Sequence, residues 1–574
     1  MSVGSIWQSE RVKQRRESRV EGLLLAVAVG DALGWPFERR ARRFDEPDDV
    51  SMGPFIRWER NAGNRFRSLP EVIEPGEYSD DTQMVIAVAR SRIVAGRDWL
   101  QYLRAVELPF LLAYERGAGA AVKRACKAWA KGTPPWEVGA ALDSYFRAGA
   151  NGAAMRVAPH VLWYAGAGSF DKIADDVAED AISTHGHPRA ILGALLHAFA
   201  HWISLSQPAP IPYGWLLAEL LKRKAEWSYI PRSLRRNPQW VEAAENATGR
   251  YPKLWRTTVE EVVRMLQTAE AAAEPASLKA PADVLAELGV SRGRETGSGT
   301  VSAVGAAYLA TYNAAAPDTG LQTAARLKGA DTDTLASMTA SLLTAAVGAD
   351  WILPYRRHVQ DAELLSRLSV DLLDVKQALP IPLPPRRAVA QMQERVLRAD
   401  EGETVEVPIG RAGRVLEVLP IETSKGVARR LKVKTADGQT MYFLSWPREE
   451  VVAAARQSSI TIRDRRKPAP TIHGVDIFVR DLPRARQVLE ELLDLKPDGS
   501  SPRWVRYGTT VLRADPNIVS QVPTFNLRVE ASFTRNLASA AEELGVQVEP
   551  NYGAHGALAL RVEPGFVVVI RVVP

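Results

Sequence analysis

The chain has 574 residues, of which 46% are hydrophobic and 24% charged, and its formal net charge is +6 at pH 7. This length exceeds what one hydrophobic core can organise, so the composition predicts several globular domains. The single cysteine, Cys126, excludes an intramolecular disulfide and any cysteine-based zinc site.

The N-terminal segment, residues 1–19, is polar and carries five Lys or Arg residues. It has no apolar run before a small-residue cleavage site, which argues against a secretory signal. The apolar run that follows, Gly22 to Val29, is too short to span a membrane. We expect a cytoplasmic protein.

The next 330 or so residues show a helical pattern, with alanine-rich segments whose apolar residues recur at three- and four-residue spacing. In the first helix the small residues Gly22, Ala26 and Gly30 would let another helix approach closely. We therefore expect an all-α domain over residues 19–375. Its predicted helices cover residues 19–33, 82–94, 100–116, 170–182, 190–204, 259–273, 301–312 and 335–347.

Two acidic clusters each precede a predicted helix: Ser79-Asp80-Asp81-Thr82 and Asp331-Thr332-Asp333-Thr334. Taken singly, either cluster could be a helix N-cap, because Asp and Thr are good capping residues. Adjacent carboxylates repel one another, however, and two such clusters in one domain are harder to explain as caps. Hard cations such as Mg²⁺ prefer oxygen ligands of this kind, and two clusters could hold a pair of ions. Neither cluster contains histidine or cysteine, which argues against zinc.

A basic and aromatic stretch occurs at residues 222–236, where lysines and arginines surround Trp227 and Tyr229. Such a patch could bind nucleic acid or another polyanion. A solvated helix face explains the same charges. The sequence leaves both interpretations open and favours the second.

Beyond the helical region the hydrophobic period changes. Residues 376–399 contain a proline-rich run, Leu379 to Pro385, that predicts a stiff linker, followed by a helix. Alternating segments near 405, 415 and 432 predict a small β-rich module over residues 400–465. From 468 to 574, strand-helix-strand patterns of similar length occur twice, which indicates an internal duplication of a βαβββ unit and an α+β domain.

Five motifs of the helical region together resemble the ADP-ribosylglycohydrolase family, which includes dinitrogenase reductase-activating glycohydrolase. They occur in the family's order across about 330 residues. The motifs are Gly22-x3-Ala26-x-Ala28-x-Gly30-Asp31-Ala32-Leu33-Gly34-x-Pro36-x-Glu38, Ser79-Asp80-Asp81-Thr82, Asn151-Gly152-Ala153-Ala154-Met155-Arg156-x2-Pro159, Thr184-His185-x-His187-Pro188-x-Ala190 and Asp331-Thr332-Asp333-Thr334-x-Ala336.

The resemblance implies a binuclear Mg²⁺ site, with Mn²⁺ as an alternative, and hydrolysis of the bond at C1″ of ADP-ribose. Glu38 would be a mobile acidic residue near the metals, Asp31 would hold the first helix and loop, and Asp80 or Asp81 would help a water attack. By motif match the metal ligands would be Ser79, Asp80, Asp81, Asp331, Asp333 and Thr334.

The resemblance also implies a substrate surface made of Asn151, Gly152 and His185. The loop Gly297-Ser298-Gly299-Thr300, at the head of a helix, would join them and favour an anion. For His187, beside Pro188, an orienting or packing role is the simpler interpretation. The family's glycines are replaced by Ala330, Ala340 and Thr344, and the loop at Ser298 lacks an aromatic residue often found there. None of these changes removes a ligand.

The last 100 or so residues resemble the vicinal oxygen chelate superfamily, which contains glyoxalases and bleomycin-resistance proteins. The resemblance rests on the duplicated pattern and on Val475-x-Ile477-x-Val479-Arg480-Asp481-Leu482. Metal-binding members carry a histidine where this chain has Gly474, with His473 one residue away. The final strand also lacks the usual glutamate. We therefore expect a binding or assembly domain without a metal.

Together these observations predict a multidomain protein whose first domain is a metal-dependent hydrolase that releases ADP-ribose from a modified acceptor. A non-catalytic ADP-ribose or nucleotide-binding protein and a Mg²⁺-dependent nucleotide phosphohydrolase are the alternatives. The acceptor could be a protein, a nucleic acid or a small molecule, and the sequence indicates no oligomeric state.

Overall fold

The computed structural model describes most of residues 3–445 and separate segments of the remainder. Side chains of the first helix are described from Ser18 onward. The described ranges are 3–38, 42–43, 55–64, 67–137, 139, 142–274, 276–277, 279–293, 295–374, 384–408, 411–423, 426–445, 476–479, 482–492, 496–497, 499–501, 504–507, 510–514, 524–530, 547–552, 557–563 and 566–573.

Helices dominate the chain up to Asp374. They are α1 (Val3–Gly34), α2 (Asp80–Ala95), α3 (Trp99–Tyr102), α4 (Leu108–Tyr114), α5 (Ala120–Lys131), α6 (Leu142–Phe146), α7 (Ala158–Trp163), α8 (Asp171–Ile182), α9 (Pro188–Ser206), α10 (Trp215–Lys222), α11 (Lys224–Trp227), α12 (Arg232–Arg235), α13 (Pro238–Thr248), α14 (Tyr251–Ala272), α15 (Pro281–Glu287), α16 (Gly299–Tyr312), α17 (Pro317–Arg326), α18 (Thr332–Val347), α19 (Leu353–Arg356) and α20 (Ala362–Asp374).

Six of the eight predicted helices are confirmed to within about two turns at their ends, and the first, predicted from residue 19, is longer because α1 begins at Val3. The helix predicted over residues 100–116 is interrupted. Its α-helical parts, α3 and α4, are joined by a π-helical turn, Leu103–Glu107, and Pro109 stands at the start of α4. Because proline cannot donate a backbone hydrogen bond, regular α-helical bonding cannot run through this point.

The centre of the domain is formed by α1, which packs against α18 and α20, and by α16, which packs against α9 and α18. Small residues set these distances. A Cβ added to Gly30 would lie 2.3 Å from the carbonyl oxygen of Ala336, and one added to Gly34 would lie 2.1 Å from that of Thr332. The two glycines therefore bring the end of α1 into backbone contact with the beginning of α18.

One stretch within α1 and the turn after it, Ser18–Phe37, is long and apolar enough to cross a membrane by length and composition alone. In the folded chain 89% of its most apolar window is buried. The core helices of soluble proteins pass the same test.

A three-stranded antiparallel sheet interrupts the helical domain, and the prediction of an all-α domain is wrong over this stretch. Its strands are β1 (Arg42–Arg43), β2 (Trp58–Asn64) and β3 (Arg67–Ile73), in the order β1-β2-β3. The strands contain Asn, Gly and Pro and do not alternate in polarity. Tertiary packing determines them instead, because Trp58 and Ile73 form a cluster with Trp35.

The predicted β-rich module is present as a four-stranded antiparallel sheet of order β4-β5-β6-β7, preceded by helix α21 (Arg386–Arg398). Its strands are β4 (Thr404–Val407), β5 (Arg411–Thr423), β6 (Gly426–Thr435) and β7 (Thr440–Ser445). We call this sheet the β module. It belongs to the same compact unit as the helices, residues 1–453. Residues 375–383 of the predicted linker and 446–465 of the predicted module lie outside the described residues.

Residues 454–574 form a second compact unit, which contains two four-stranded sheets. The strands are β8 (Asp476–Val479), β9 (Gly499–Ser501), β10 (Trp504–Tyr507), β11 (Thr510–Ala514), β12 (Thr524–Glu530), β13 (Gln547–Tyr552), β14 (Ala557–Glu563) and β15 (Phe566–Val573), with helix α22 (Leu482–Gln487) after β8. In each sheet the first strand pairs in parallel with the last, and the order is first-fourth-third-second. His473 and Gly474 lie outside the described residues.

Part of the basic stretch at residues 222–236 is neutralised within the protein. The Lys222 ammonium pairs with Glu219 at 2.9 Å, and the Arg223 guanidinium pairs with Glu226 at 2.6 Å. The indole of Trp227 is fully buried, so its ring is not available to stack on a base. Nucleic-acid binding through this stretch stays a prediction.

Candidate active site

The first acidic cluster forms the beginning of α2, and Asp31 of α1 fixes it there. The Asp31 carboxylate accepts hydrogen bonds from the backbone N–H of Ser79 at 3.0 Å and from that of Thr82 at 3.0 Å. The Thr82 hydroxyl donates to the same carboxylate at 2.7 Å. Asp31 therefore caps α2 from a neighbouring helix, which confirms the prediction that it holds the first helix and the loop together.

The second acidic cluster forms the beginning of α18 and meets the first. The Thr334 hydroxyl donates to Oδ2 of Asp81 at 3.1 Å, and the Ser337 hydroxyl donates to Oδ1 of Asp81 at 2.8 Å. These two bonds span about 250 residues of sequence. The beginnings of α2 and α18 therefore contribute to one site, as the sequence predicted for the two clusters.

The carboxylates of this site are buried close enough together to repel one another. Burial raises the pKa of Asp80 well above its ordinary value, and the charges of Glu115, Asp31 and Glu38 raise it further. The pKa of Asp81 is raised well above its ordinary value by burial and then by the charges of Asp31 and Asp80. The folded chain therefore concentrates negative charge that favours protonation or a nearby cation.

Asp333 and Glu38 extend this acidic region. Burial raises the pKa of Asp333 well above its ordinary value, and the carboxylates of Asp331, Glu38 and Asp81 add to the effect. Glu38 itself is exposed at the end of the turn after α1. Its charge thus acts on Asp80 and Asp333 from the solvent side of the site.

The donor chemistry of the site fits hard divalent cations, which prefer carboxylate and hydroxyl oxygens. The six oxygen-bearing residues at the two helix beginnings are all buried except Asp331, which is partly exposed. Within the described part of the chain, no three His, Cys, Asp or Glu side chains are already gathered closely enough to hold a metal ion. The residues that could provide oxygens are Ser79, Asp80, Asp81, Asp331, Asp333 and Thr334.

Asn151 and the loop before α16 lie beside the second acidic cluster. The Asn151 amide donates to Oδ2 of Asp331 at 3.1 Å, and the Asn151 N–H donates to the carbonyl of Gly297 at 3.0 Å. Gly297 has a φ of +79°, and an added Cβ would lie 3.0 Å from the Asp331 carboxylate. The left-handed backbone conformation therefore favours glycine here, and a side chain would also crowd the Asp331 carboxylate.

The rest of that loop is occupied by structural contacts. The Ser298 hydroxyl caps α16 by accepting from the N–H of Val301 at 3.4 Å, and it lies 3.4 Å from the Thr300 hydroxyl. A Cβ on Gly299 would lie 2.6 Å from the carbonyl oxygen of Arg189. Substrate contact by these three residues stays a prediction.

His185 lies against Gly152, and the sequence motifs assign both residues to the same substrate surface. A Cβ added to Gly152 would lie 3.0 Å from Cε1 of His185, whose Nδ1 lies 2.8 Å from the Thr184 hydroxyl. Burial, with the neighbouring Arg156 guanidinium, lowers the pKa of His185 to about 3. The imidazole is therefore neutral at physiological pH, and its contact with a substrate stays a prediction.

A basic cavity next to this loop was not foreseen from the sequence. It has a volume of about 440 Å³ and is lined by Gly297 and Ser298 together with three arginines, Arg124, Arg147 and Arg189. Its acidic lining residue is Glu295, which pairs with Arg189 at 2.8 Å. His187 also lines it and caps α9 by accepting from the N–H of Arg189 at 3.1 Å, in keeping with the orienting role expected of it.

A second cavity, of about 390 Å³, continues from the first along α5. The two cavities share Ala121, Arg124 and Ser144, and the second is mostly apolar, with Lys127 and Lys131 at its edge. The helical spacing of Arg124, Lys127 and Lys131 was visible in the sequence. The position of Arg124 in the same cavity as Gly297 was not, because it depends on a loop more than 150 residues away.

These features define a helical domain with one buried, oxygen-rich acidic centre beside a basic cavity. Comparison with known proteins gives the family: residues 12–380, more than half of the chain, match the ADP-ribosylglycohydrolase family. The chain therefore belongs to the ADP-ribosylglycohydrolase family. Membership implies a glycosidase-type hydrolase and suggests hydrolysis of ADP-ribose linkages.

Comparisons with solved structures and with curated proteins add less information about the chain. A solved ADP-ribosylglycohydrolase-related protein complex is 20% identical, with a TM-score of 0.38, and the match covers 63% of this chain and 100% of that one. No curated protein matches the chain.

Proposed function

We propose that the first unit is a divalent-metal-dependent hydrolase that cleaves the N- or O-glycosidic bond at C1″ and releases ADP-ribose from a modified acceptor. The observation that carries the proposal is the meeting of the two acidic helix beginnings, where Thr334 and Ser337 bind Asp81. Buried carboxylates whose pKa values are raised by burial and by mutual repulsion gain most from a cation. Two Mg²⁺ ions, with Mn²⁺ as an alternative, fit this donor chemistry.

The bound metal and the residues around it would have separate roles in catalysis. Bound metal would supply Lewis acidity and a water of lowered pKa. Asp31 holds the first ligand segment in place, and Asp80 or Asp81 would accept the proton of the attacking water. Glu38, at the exposed side of the site, would act near the reacting bond.

The basic cavity supports a substrate that carries a diphosphate. Asn151 and Gly297 connect the acidic centre to the cavity, because both lie within hydrogen-bond or contact distance of Asp331. The guanidinium groups of Arg124 and Arg147 would attract the phosphates. The adjoining apolar cavity has the character expected of a site for a nucleobase.

Release of free ADP-ribose by the purified full-length chain tests this proposal. We expect release from an ADP-ribosylated acceptor with Mg²⁺ and none with chelator. Asp80→Ala and Asp333→Ala should each reduce it by at least about a hundredfold, since loss of even an outer-shell partner costs about ten- to a hundredfold. Asp283→Ala is the matched control, because Asp283 is an exposed carboxylate in the first turn of α15.

The same assay separates the alternatives. Tight ADP-ribose binding without turnover on any acceptor would identify a binding protein, and release of phosphate would identify a phosphohydrolase. Activity that survives both aspartate substitutions would refute the assignment. The screen should include protein, nucleic-acid and small-molecule acceptors. The proposed site residues would contact ADP-ribose and do not identify the acceptor.

The second compact unit is proposed to be a vicinal oxygen chelate-like domain that binds a partner without a metal. The common strand order of its two sheets supports this proposal.

A further inference from the structure

The segment immediately before the first metal-ligating residues is held by long-range contacts, one of which comes from the β module. Glu77 and Tyr78 directly precede Ser79. The Tyr78 hydroxyl donates to Oδ2 of Asp361 at 2.7 Å. The Tyr442 hydroxyl, from strand β7 of the β module, donates to Oε1 of Glu77. Both residues before the site are therefore fixed by long-range hydrogen bonds.

Asp361 joins Tyr78 to the β module. Its carboxylate accepts from the Lys434 ammonium at 2.6 Å, and from the N–H and the hydroxyl of Thr440 at 2.6 and 2.7 Å. Asp361 has a φ of +59°, which is unfavourable for a residue with a side chain. This conformation is stabilised because the carboxylate is satisfied by donors from β6, β7 and the segment before α2.

Glu77 belongs to a second connection, which runs through Arg116. The Arg116 guanidinium pairs with Glu77 at 2.9 Å and lies over the ring of Tyr442 at 4.0 Å. The next residue, Gly117, approaches the site so closely that an added Cβ would lie 3.1 Å from Oδ1 of Asp80. The β module therefore contacts both backbone segments that flank Asp80.

We propose that Tyr442 and Asp361 are positioning residues for the metal-ligating segment Ser79–Asp81, so that the β module is a working part of the active site. This inference rests on the proposed function. Asp80 and Asp81 are adjacent buried carboxylates, which repel one another when both are charged. Asp31 holds the N–H of Ser79. Asp361 and Tyr442 hold the two residues before it, and these contacts together anchor the N-terminal side of the ligand segment against this repulsion.

The proposal is tested with the full-length chain carrying Tyr442→Phe or Thr440→Val. Each change removes a hydroxyl and keeps most of the side-chain volume, and the phenylalanine would retain a ring beneath Arg116. The matched control is Tyr164→Phe. The Tyr164 hydroxyl also donates to a carboxylate, Asp176, at 2.9 Å. Asp176 binds Arg92, which lies about 18 Å along α2 from Asp80.

Two measurements are needed: Mg²⁺ binding by calorimetry with the metal alone, and amide hydrogen exchange over residues 74–82. We expect both module variants to weaken Mg²⁺ binding by about tenfold and to accelerate exchange over residues 74–82, with the control unchanged. Unchanged exchange in both variants would overturn the proposal.

The two readouts separate this proposal from the proposed function. A wild-type chain that binds no Mg²⁺ would contradict the proposed function, while the exchange experiment would still test the anchoring. If Tyr442→Phe does not fold, Thr440→Val removes one of the three bonds that join Asp361 to the β module, leaves Tyr442 in place and tests the same proposal. General destabilisation would look different: exchange would accelerate equally across all of α2, and it would also accelerate in the Tyr164→Phe control. That result would refute a positioning role.

Discussion

At the scale of single residues, the buried carboxylates of the acidic centre lower the stability of the metal-free protein when they are charged. Asp333 is 5% exposed, and its Oδ1 accepts from the N–H of Thr334 at 2.8 Å. Because its pKa is raised in the folded chain, its contribution to stability is complete below about pH 3.8 and is lost as the pH rises through the folded-state pKa. At any pH above the folded-state pKa, the metal-free protein therefore carries an unfavourable charge on Asp333.

Asp333→Asn should accordingly stabilise the metal-free protein at pH 8. The amide can keep the bond from Thr334 while removing the repulsion. We expect a gain of about 1 kcal/mol or more, since one pKa unit corresponds to about 1.4 kcal/mol. Thermal melting in the presence of chelator measures this gain in stability over the wild type, and the gain should become smaller toward pH 5. A lower melting temperature than wild type at pH 8 would contradict the prediction; Asp283→Asn is the control.

The sequence was informative about this centre because residue type and order are enough to identify acidic ligand candidates. It could predict Asp31 as a structural residue and the meeting of the two clusters, although not that they meet at Asp81. It could not predict Tyr442 or Arg124, because an isolated tyrosine or surface arginine has no local signature. Their roles arise from contacts with residues hundreds of positions away.

At the scale of elements, the close contact of α1 and α18 sets the distance between the two acidic clusters. Gly30→Ala tests it. Alanine is more favourable than glycine in a helix by up to about 1 kcal/mol. The clash with the Ala336 carbonyl should cost about 3 kcal/mol, so we expect net destabilisation of about 2 kcal/mol.

Thermal melting of Gly30→Ala measures this balance. The control is Gly168→Ala, where an added Cβ meets no atom within 4 Å. Its stability should change by less than about 0.5 kcal/mol. Equal melting temperatures for the two variants would show that α1 can move away from α18 at little cost.

Helix existence was predictable from periodicity, whereas the sheet β1–β3 and the π-helical turn were not. The strands β2 and β3 carry Asn61, Gly63 and Pro70, which are poor strand formers. Their pairing depends on burial of Trp58 and Ile73 against Trp35, and of Leu69 near Ala428 of the β module. A pattern within the strands cannot show a partner that lies 350 residues further on.

At the scale of the whole molecule, buried histidines make stability depend on pH. His197 and His201 lie inside α9, and burial lowers the pKa of His201 to about 4 and that of His197 well below its ordinary value. The unfolded chain binds a proton on each near pH 6.5, and the folded chain does not. The free energy of unfolding should therefore fall below pH 6.5, by about 1.4 kcal/mol per pH unit for each histidine.

His201→Gln should reduce this slope by the contribution of one histidine, whatever its effect at neutral pH. Melting followed through the helical signal between pH 7.5 and 5 gives the slope. Identical slopes for the variant and the wild type would show that His201 gains its proton in the folded protein.

The packing of the β module has a practical consequence for how the chain is divided. The family match ends at residue 380, which suggests a natural place to truncate an expression clone. A protein cut there would lose the hydroxyl that binds Glu77 and the aromatic ring beneath Arg116, and Leu69 would face water. The family match therefore ends before the compact unit does, because that unit also contains the β module up to the end of β7.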